Sequence, residues 1–243
     1  MREAPGEGPP PPRRTREALT TGLAICTLIF LALGIWQIER RAGKLALIAA
    51  VDARVRAPAT PAPGPDGWPR IAAADDAYRH VSAHGVFEND RETTVQAVTE
   101  QGPGYWVLTP LRTDEGWAVL VNRGFVPPEK RDRTARREGE PEGPVTVTGL
   151  LRLSEPKGAF LRRNDPVGGR WYSRDVAEIG KERGVPRLAP YFIDAAAGAP
   201  AGQPIGGLTI VRFYNHHLEY ALTWFALAIL SIIGIVVVRR ADR

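Results

Sequence analysis

The 243-residue chain carries a net charge of +5, and that excess is confined to three short stretches. Residues 1–17 contribute +1, residues 39–60 contribute +3 and residues 239–243 contribute +2, which leaves the rest near neutral and excludes nucleic acid as an expected partner. Cys26 is the only cysteine and Met1 the only methionine, so disulfide scaffolds, thiol redox chemistry, c-type haem attachment and thiolate or thioether copper sites are excluded as well.

Two long runs hold no charge, Ala18 to Ile38 with 21 residues and Tyr220 to Val238 with 19. At about 1.5 Å per helical residue each spans roughly 30 Å of hydrocarbon. Two transmembrane helices, one near each end, are therefore expected at 18–38 and 218–238. No small-x-small pattern follows the first run, which favours an uncleaved anchor over a signal peptide. Arg239, Arg240 and Arg243 place the C-terminal tail, 239–243, in the cytoplasm by the positive-inside rule, and two spans return the N-terminal tail, 1–17, to the same side. The central region is then expected outside the cytoplasm, periplasmic in a cell with an inner membrane.

The N-terminal tail, with Pro9 to Pro12, has the composition of a disordered segment. Trp36 marks the outer headgroup zone, and 39–57 keeps helical spacing as a juxtamembrane extension rich in cations, suited to lipid phosphates. After the Pro/Gly-rich stretch Pro58 to Pro69 the pattern changes to period two. Strands are expected at 78–87, 92–99, 105–112, 117–126, 145–153 and 191–194, and a last extended piece at 208–214. Turns are expected at Gly102-Pro103-Gly104 and at Asp114-Glu115-Gly116, the latter closing a hairpin, and a short helix at 173–183. The domain at 58–217 is thus a mostly-β, antiparallel barrel or sandwich with one short helix, carried between two membrane helices.

No nucleophile elbow, phosphate-binding loop or dinucleotide fingerprint is present, and no enzyme activity is expected. His80 and His84 lie four apart, which on a strand separates them by ~13 Å, too far to share an ion. His217 differs, because an ionisable group at the mouth of a membrane helix is a functional candidate. A helix starting near His217 places His217, Tyr220 and Trp224 on one face. As an interfacial belt these three anchor the helix. As a site they offer an imidazole for haem iron, with Trp36 at similar depth and Arg40, Arg41, Lys44 and Arg212 available to propionates.

A series of short motifs carries a resemblance. In order they are Leu33-Gly34-Ile35-Trp36-Gln37 with Arg40 and Lys44, then Tyr78-x-x-Val81-x-x-x-Gly85-x-Phe87, and Gly104-Tyr105-x-x-x-Thr109-Pro110. Val121-Asn122-Arg123-Gly124-Phe125-Val126-Pro127, Gly149-x-x-Arg152, Trp171, Gly206-Gly207 and Asn215-x-His217-x-x-Tyr220-Ala221-x-x-Trp224 follow. Together they resemble the surfeit-locus family of membrane proteins that assist cytochrome c oxidase assembly. The resemblance runs from Leu33 to Phe225; His216 departs from it, standing where a second Asn is expected. It implies a non-catalytic assembly factor of the cytoplasmic membrane that holds haem a on His217 and passes it to the oxidase catalytic subunit, working beside the haem a synthesis machinery. Gly34, Gln37, Tyr105, Asn122, Arg123, Gly124 and Asn215 are implied as partner-facing or structural positions. A scaffold for the oxidase subunit that never touches haem is the alternative. An extracytoplasmic sensor shares the two-helix layout but is expected to need a cytoplasmic output module.

Overall fold

The structure is a computed structural model that describes residues 13–137, 140–159, 162–198, 204–209, 211 and 213–240. Arg212, Arg243 and the Pro9–Pro12 run therefore lie outside the described residues, as does Ile210 of the extended piece expected at 208–214. The chain divides into two compact units, the long terminal helices and a β-domain spanning Ala50–Val211.

In the helical unit, α1 (Arg13–Arg56) is one unbroken helix that includes the juxtamembrane extension, and α4 (His217–Arg240) is the last element. Both are long and apolar enough to cross a bilayer. Only 11% and 17% of their most apolar windows are buried, which distinguishes them from core helices of a globular domain. Among the residues they cover, a series recurs every four and three positions: Leu23, Thr27, Phe30, Gly34, Gln37, Arg41 and Lys44 along α1, and His217, Ala221, Trp224, Ala228 and Ser231 along α4. That is heptad spacing, so the helices pack as an antiparallel pair with a coiled-coil seam, flanked by larger residues such as Leu33 and Phe225. Its most buried positions, Thr27, Gly34, Ala221, Ala228 and Ser231, are small, which lets the helices approach closely. Thr27 and Ser231 return their hydroxyls to the carbonyls of Leu23 and Leu227, at 2.8 and 3.0 Å, leaving no unsatisfied polar group on the seam there.

The β-domain contains β1 (Thr60–Pro61), α2 (Ala73–Asp76), β2 (His80–Phe87), β3 (Thr93–Thr99), β4 (Gly102–Thr113), β5 (Ala118–Val126), β6 (Pro144–Leu153), α3 (Val176–Glu182) and β7 (Leu188–Ala195). Strand order is β1-β2-β6-β7-β5-β4-β3, and β2 also pairs with β4. The extra pairing closes β2-β6-β7-β5-β4 into a five-stranded barrel, with β1 and β3 as flanking strands. Closure decides between the expected barrel and sandwich. The barrel is not wholly antiparallel, since β5 with β7 and β1 with β2 run parallel.

Alternation along the strands separates two cores. Val119 and Val121 join Val81, Leu111, Trp117, Leu151, Tyr191 and Ile193 inside the barrel. Leu108, Leu120 and Phe192 face outward and are covered by α3 and Trp171, so β5 is buried on both faces. Burial of the Tyr191 hydroxyl, which donates to Pro63 O at 2.7 Å, pushes that group's pKa up.

Two expectations need correction. The β3–β4 turn falls at Glu100-Gln101, and Pro103 and Gly104 are paired within β4. The stretch at 208–214 forms no strand among the described residues; the nearest β contact is the isolated Phe125–Ile205 bridge. Asn122-Arg123-Gly124 lies inside the strand expected at 117–126, in β5, where the register skips Arg123 opposite Val107 and Leu108. That is a bulge, and it accounts for the glycine there.

Candidate functional site

Two groups of resemblance residues have distinct surroundings. The first lies at the α1–α4 seam. His217 opens α4 half-buried, and its Nδ1 donates to Gln37 Oε1 at 2.7 Å. With Nδ1 engaged by Gln37, Nε2 is the ring nitrogen left to face an external group. One turn further in, Phe30 and Trp224 stack with centroids 5.7 Å apart. Phe225 presses on Gly34, where an added Cβ would sit 2.5 Å from the ring, so glycine is required for this approach. Ahead of the helix, Asn215 Oδ1 is sealed from solvent with no hydrogen-bond partner. An acceptor in that position is an open place for a donor.

The seam sorts the expected site residues. Gln37, rather than Trp36, meets His217. Trp36 is 49% exposed and turned outward, with the Arg40 guanidinium 5.8 Å from its ring centroid. Tyr220 is 56% exposed, because the seam steps from His217 to Ala221 and Trp224; the expected three-residue face is split. Lys44 Nζ lies 5.0 Å from the Phe213 ring centroid, on the same helical unit. His216 and His217 are no longer equivalent. His216 is exposed, 3.3 Å from Glu219 Oε1 and stacked on Tyr214, while His217 faces the seam.

Metal-ligating histidines are commonly held by a hydrogen bond from the second ring nitrogen to an oxygen acceptor, as Gln37 offers His217. His217 is thus the residue here that would hold a haem iron. Among the described residues no group of three or more His, Cys, Asp or Glu side chains could hold a metal ion.

The second group lies in the β-domain. Asn122 Nδ2 donates to Asp194 Oδ1 at 2.8 Å, and Arg152 and Arg174 reach the same carboxylate at 2.8 and 3.1 Å. Glu155 bonds both arginines, and Thr209 donates to Asp194 Oδ2 at 3.0 Å. Burial disfavours the Arg174 charge, but Asp194 and Glu155 outweigh it and raise its pKa. Arg123, the bulge residue, lies over Phe87 at 5.1 Å and donates to Asn89 Oδ1 at 3.3 Å. Burial lowers its pKa, with Glu92 and Glu140 opposing the shift. Tyr105 is far from either arginine cluster in contact terms, stacked beneath Arg131 at 4.8 Å on the outer face of β4.

Asp194, Arg174 and Glu155 have no counterpart among the sequence candidates. The available signal was an acid ending the apolar strand Tyr191-Phe192-Ile193, a position that calls for a buried partner. His80 and His84 take separate partners, Ala57 O at 2.8 Å and Asp114 Oδ2 at 2.7 Å.

The SURF1 family model matches residues 24–229 of the chain. Surfeit locus protein 1 of Homo sapiens is 35% identical over 215 residues, covering 81% of this chain and 69% of that protein. The Mus musculus protein of the same name is 36% identical over 212 residues, covering 80% and 67%. A SURF1-like protein of Monosiga brevicollis is 34% identical over 227 residues, covering 88% and 84%. With a match of this length lying over both the seam and the barrel, the chain belongs to the SURF1 family.

Proposed function

We propose that this chain is a membrane-anchored assembly factor for haem–copper cytochrome c oxidase, holding haem a on His217 and presenting it to the catalytic subunit. The observation that carries the proposal is the His217–Gln37 hydrogen bond at 2.7 Å, which fixes the ring and leaves Nε2 open. Haem a, once delivered, would supply the oxidase with its redox chemistry; on this chain it would be cargo. Arg40 and Lys44, already placed over aromatic rings, would neutralise its carboxylates.

Arg239 and Arg240 at the end of α4 support a cytoplasmic C-terminus by the positive-inside rule, and two antiparallel spans return the start of α1 to the same side. The seam histidine then lies at the outer surface of the cytoplasmic membrane, and the barrel outside it. Haem a synthesis machinery in the same membrane would load the site.

The test is an absorption spectrum of the detergent-purified protein co-expressed with haem a synthesis. A stoichiometric haem a band is expected in wild type and in His216→Ala, and none in His217→Ala. Gln37→Leu keeps the ligand but removes the acceptor for Nδ1–H, and haem affinity should fall about 10–100-fold. A wild-type protein without haem that still supports oxidase assembly would instead establish the scaffold reading.

A further inference from the structure

The outer face of the edge strand β3 carries a feature that neither the seam nor the Asp194 cluster uses. Thr94 and Gln96 alternate with buried Thr93, Val95 and Ala97 and so point outward, and Gln96 pairs directly with Tyr105 of β4. Together with Arg131, Arg170 and Tyr172 they line a polar pocket of about 130 Å³.

Its cations are held in place before anything binds. Arg131 lies 4.8 Å from the Tyr105 ring centroid and donates to Gly169 O at 3.3 Å. Close by, Arg162 donates to Gln96 Oε1 at 2.9 Å and lies 5.4 Å from the Tyr172 ring centroid. Each guanidinium is therefore stacked on a tyrosine and oriented by an uncharged oxygen, and among the described residues neither has a carboxylate partner. Arg170 is different, being paired with Asp165 at 2.5 Å; the Gly168 amide and Arg170 hold that carboxyl below its usual range. Arg131 thus lines the pocket without a carboxylate partner among the described residues, and Arg162 stands at its edge through Gln96 and Tyr172.

Trp171 also lines the pocket at 2% exposure, and among the described residues its buried indole N–H has no acceptor. An indole can only donate, and guanidinium can only donate. Fork-shaped donors fixed on aromatic rings match planar carboxylates, and Arg with Tyr is the composition of interface hot spots.

We propose that this pocket docks an acidic segment of a protein partner, with a Glu or Asp side chain entering between Arg131 and Arg162. A pocket of this size takes one carboxylate and no cofactor. The surface lies on the barrel and is independent of haem binding at His217.

The probe is a fluorescein-labelled hexaglutamate peptide, titrated by anisotropy at low salt against the full chain in phosphatidylcholine nanodiscs. Arg131→Gln and Arg162→Gln should each weaken binding at least about tenfold. Arg131→Lys, which keeps the charge but loses the planar stack, should weaken it severalfold. Arg137→Gln removes an exposed arginine elsewhere on the domain and should change affinity less than about twofold. Unchanged near-UV circular dichroism in each variant confirms folding. Equal losses in Arg137→Gln and the pocket variants would overturn the proposal by showing diffuse charge attraction. So would failure of hexaglutamate to bind while inorganic phosphate or phosphatidylglycerol vesicles bind in an Arg131-dependent way.

Discussion

Replacing Asp194 with alanine should destabilise the barrel by about 3–5 kcal/mol, the cost of removing one partner from a buried ion cluster. Asp194 is 3% exposed and receives hydrogen bonds from Asn122, Arg152, Arg174 and Thr209. With the carboxylate gone, the two arginines share only Glu155, and Asn122 Nδ2 loses its acceptor inside the sheet. The loss extends beyond the cluster because Asp194 joins three strands. Asn122 belongs to β5, Arg152 to β6 and Asp194 to β7, which includes the parallel β5–β7 seam. Thr209 adds the segment that follows the barrel. Near-UV circular dichroism of the full chain during denaturant unfolding would read the effect, with Asp194→Asn retaining shape but not charge. A shift below about 1 kcal/mol in Asp194→Ala would mean that the cluster is solvated and structurally idle.

The elements were legible where the signal is local. Uncharged runs of 21 and 19 residues announce the two long helices, and alternation or short apolar runs between turn signals find each barrel strand to within a few residues. What escapes is whatever depends on pairing across the chain. β5 and β7 are parallel neighbours although some 60 residues separate them, and no alternation pattern encodes partner choice. Asn122 finds Asp194 72 residues away, so a motif residue and its reason for being there never share a window. The short β1 is a two-residue addition in a stretch whose prolines and glycines advertise only a break.

The seam shows the same division on a smaller scale. Helical periodicity places His217, Tyr220 and Trp224 within one broad face, but only packing against α1 tells which edge of that face is covered. The covered edge passes through Ala221, because a small residue lets the helices approach, and this leaves Tyr220 outside. Gln37 rather than its aromatic neighbour meets the histidine for the same reason, since heptad spacing from Gly34 lands on position 37. The distinction between His216 and His217 also comes from packing, as the two are identical in type and adjacent in sequence.

Gly124→Val should be at least as damaging as the loss of Asp194, for reasons of backbone alone. Gly124 follows the bulge residue Arg123 and has φ +135°, a region that side chains of L-residues scarcely enter, at a cost of order 1–3 kcal/mol. A Cβ there would also stand 2.5 Å from Gly206 N, against the Ile205–Gly206 backbone. That backbone cannot move aside freely, because Ile205 exchanges hydrogen bonds of 2.8 and 2.9 Å with Phe125, and Gly207 N donates to Ala195 O at 2.9 Å. The substitution must therefore either straighten the bulge, displacing Arg123 from the Phe87 ring, or detach the strap that carries the chain out of the barrel. Hydrogen exchange separates the two outcomes: faster exchange at the Ile205 and Gly207 amides with β5 intact indicates detachment, whereas faster exchange along β5 indicates loss of the bulge. Gly124→Ala, which shares the φ penalty and the first Cβ contact, should show most of the effect. If Gly124→Ala proves neutral in unfolding experiments, the close approach of β5 to the strap is wrong.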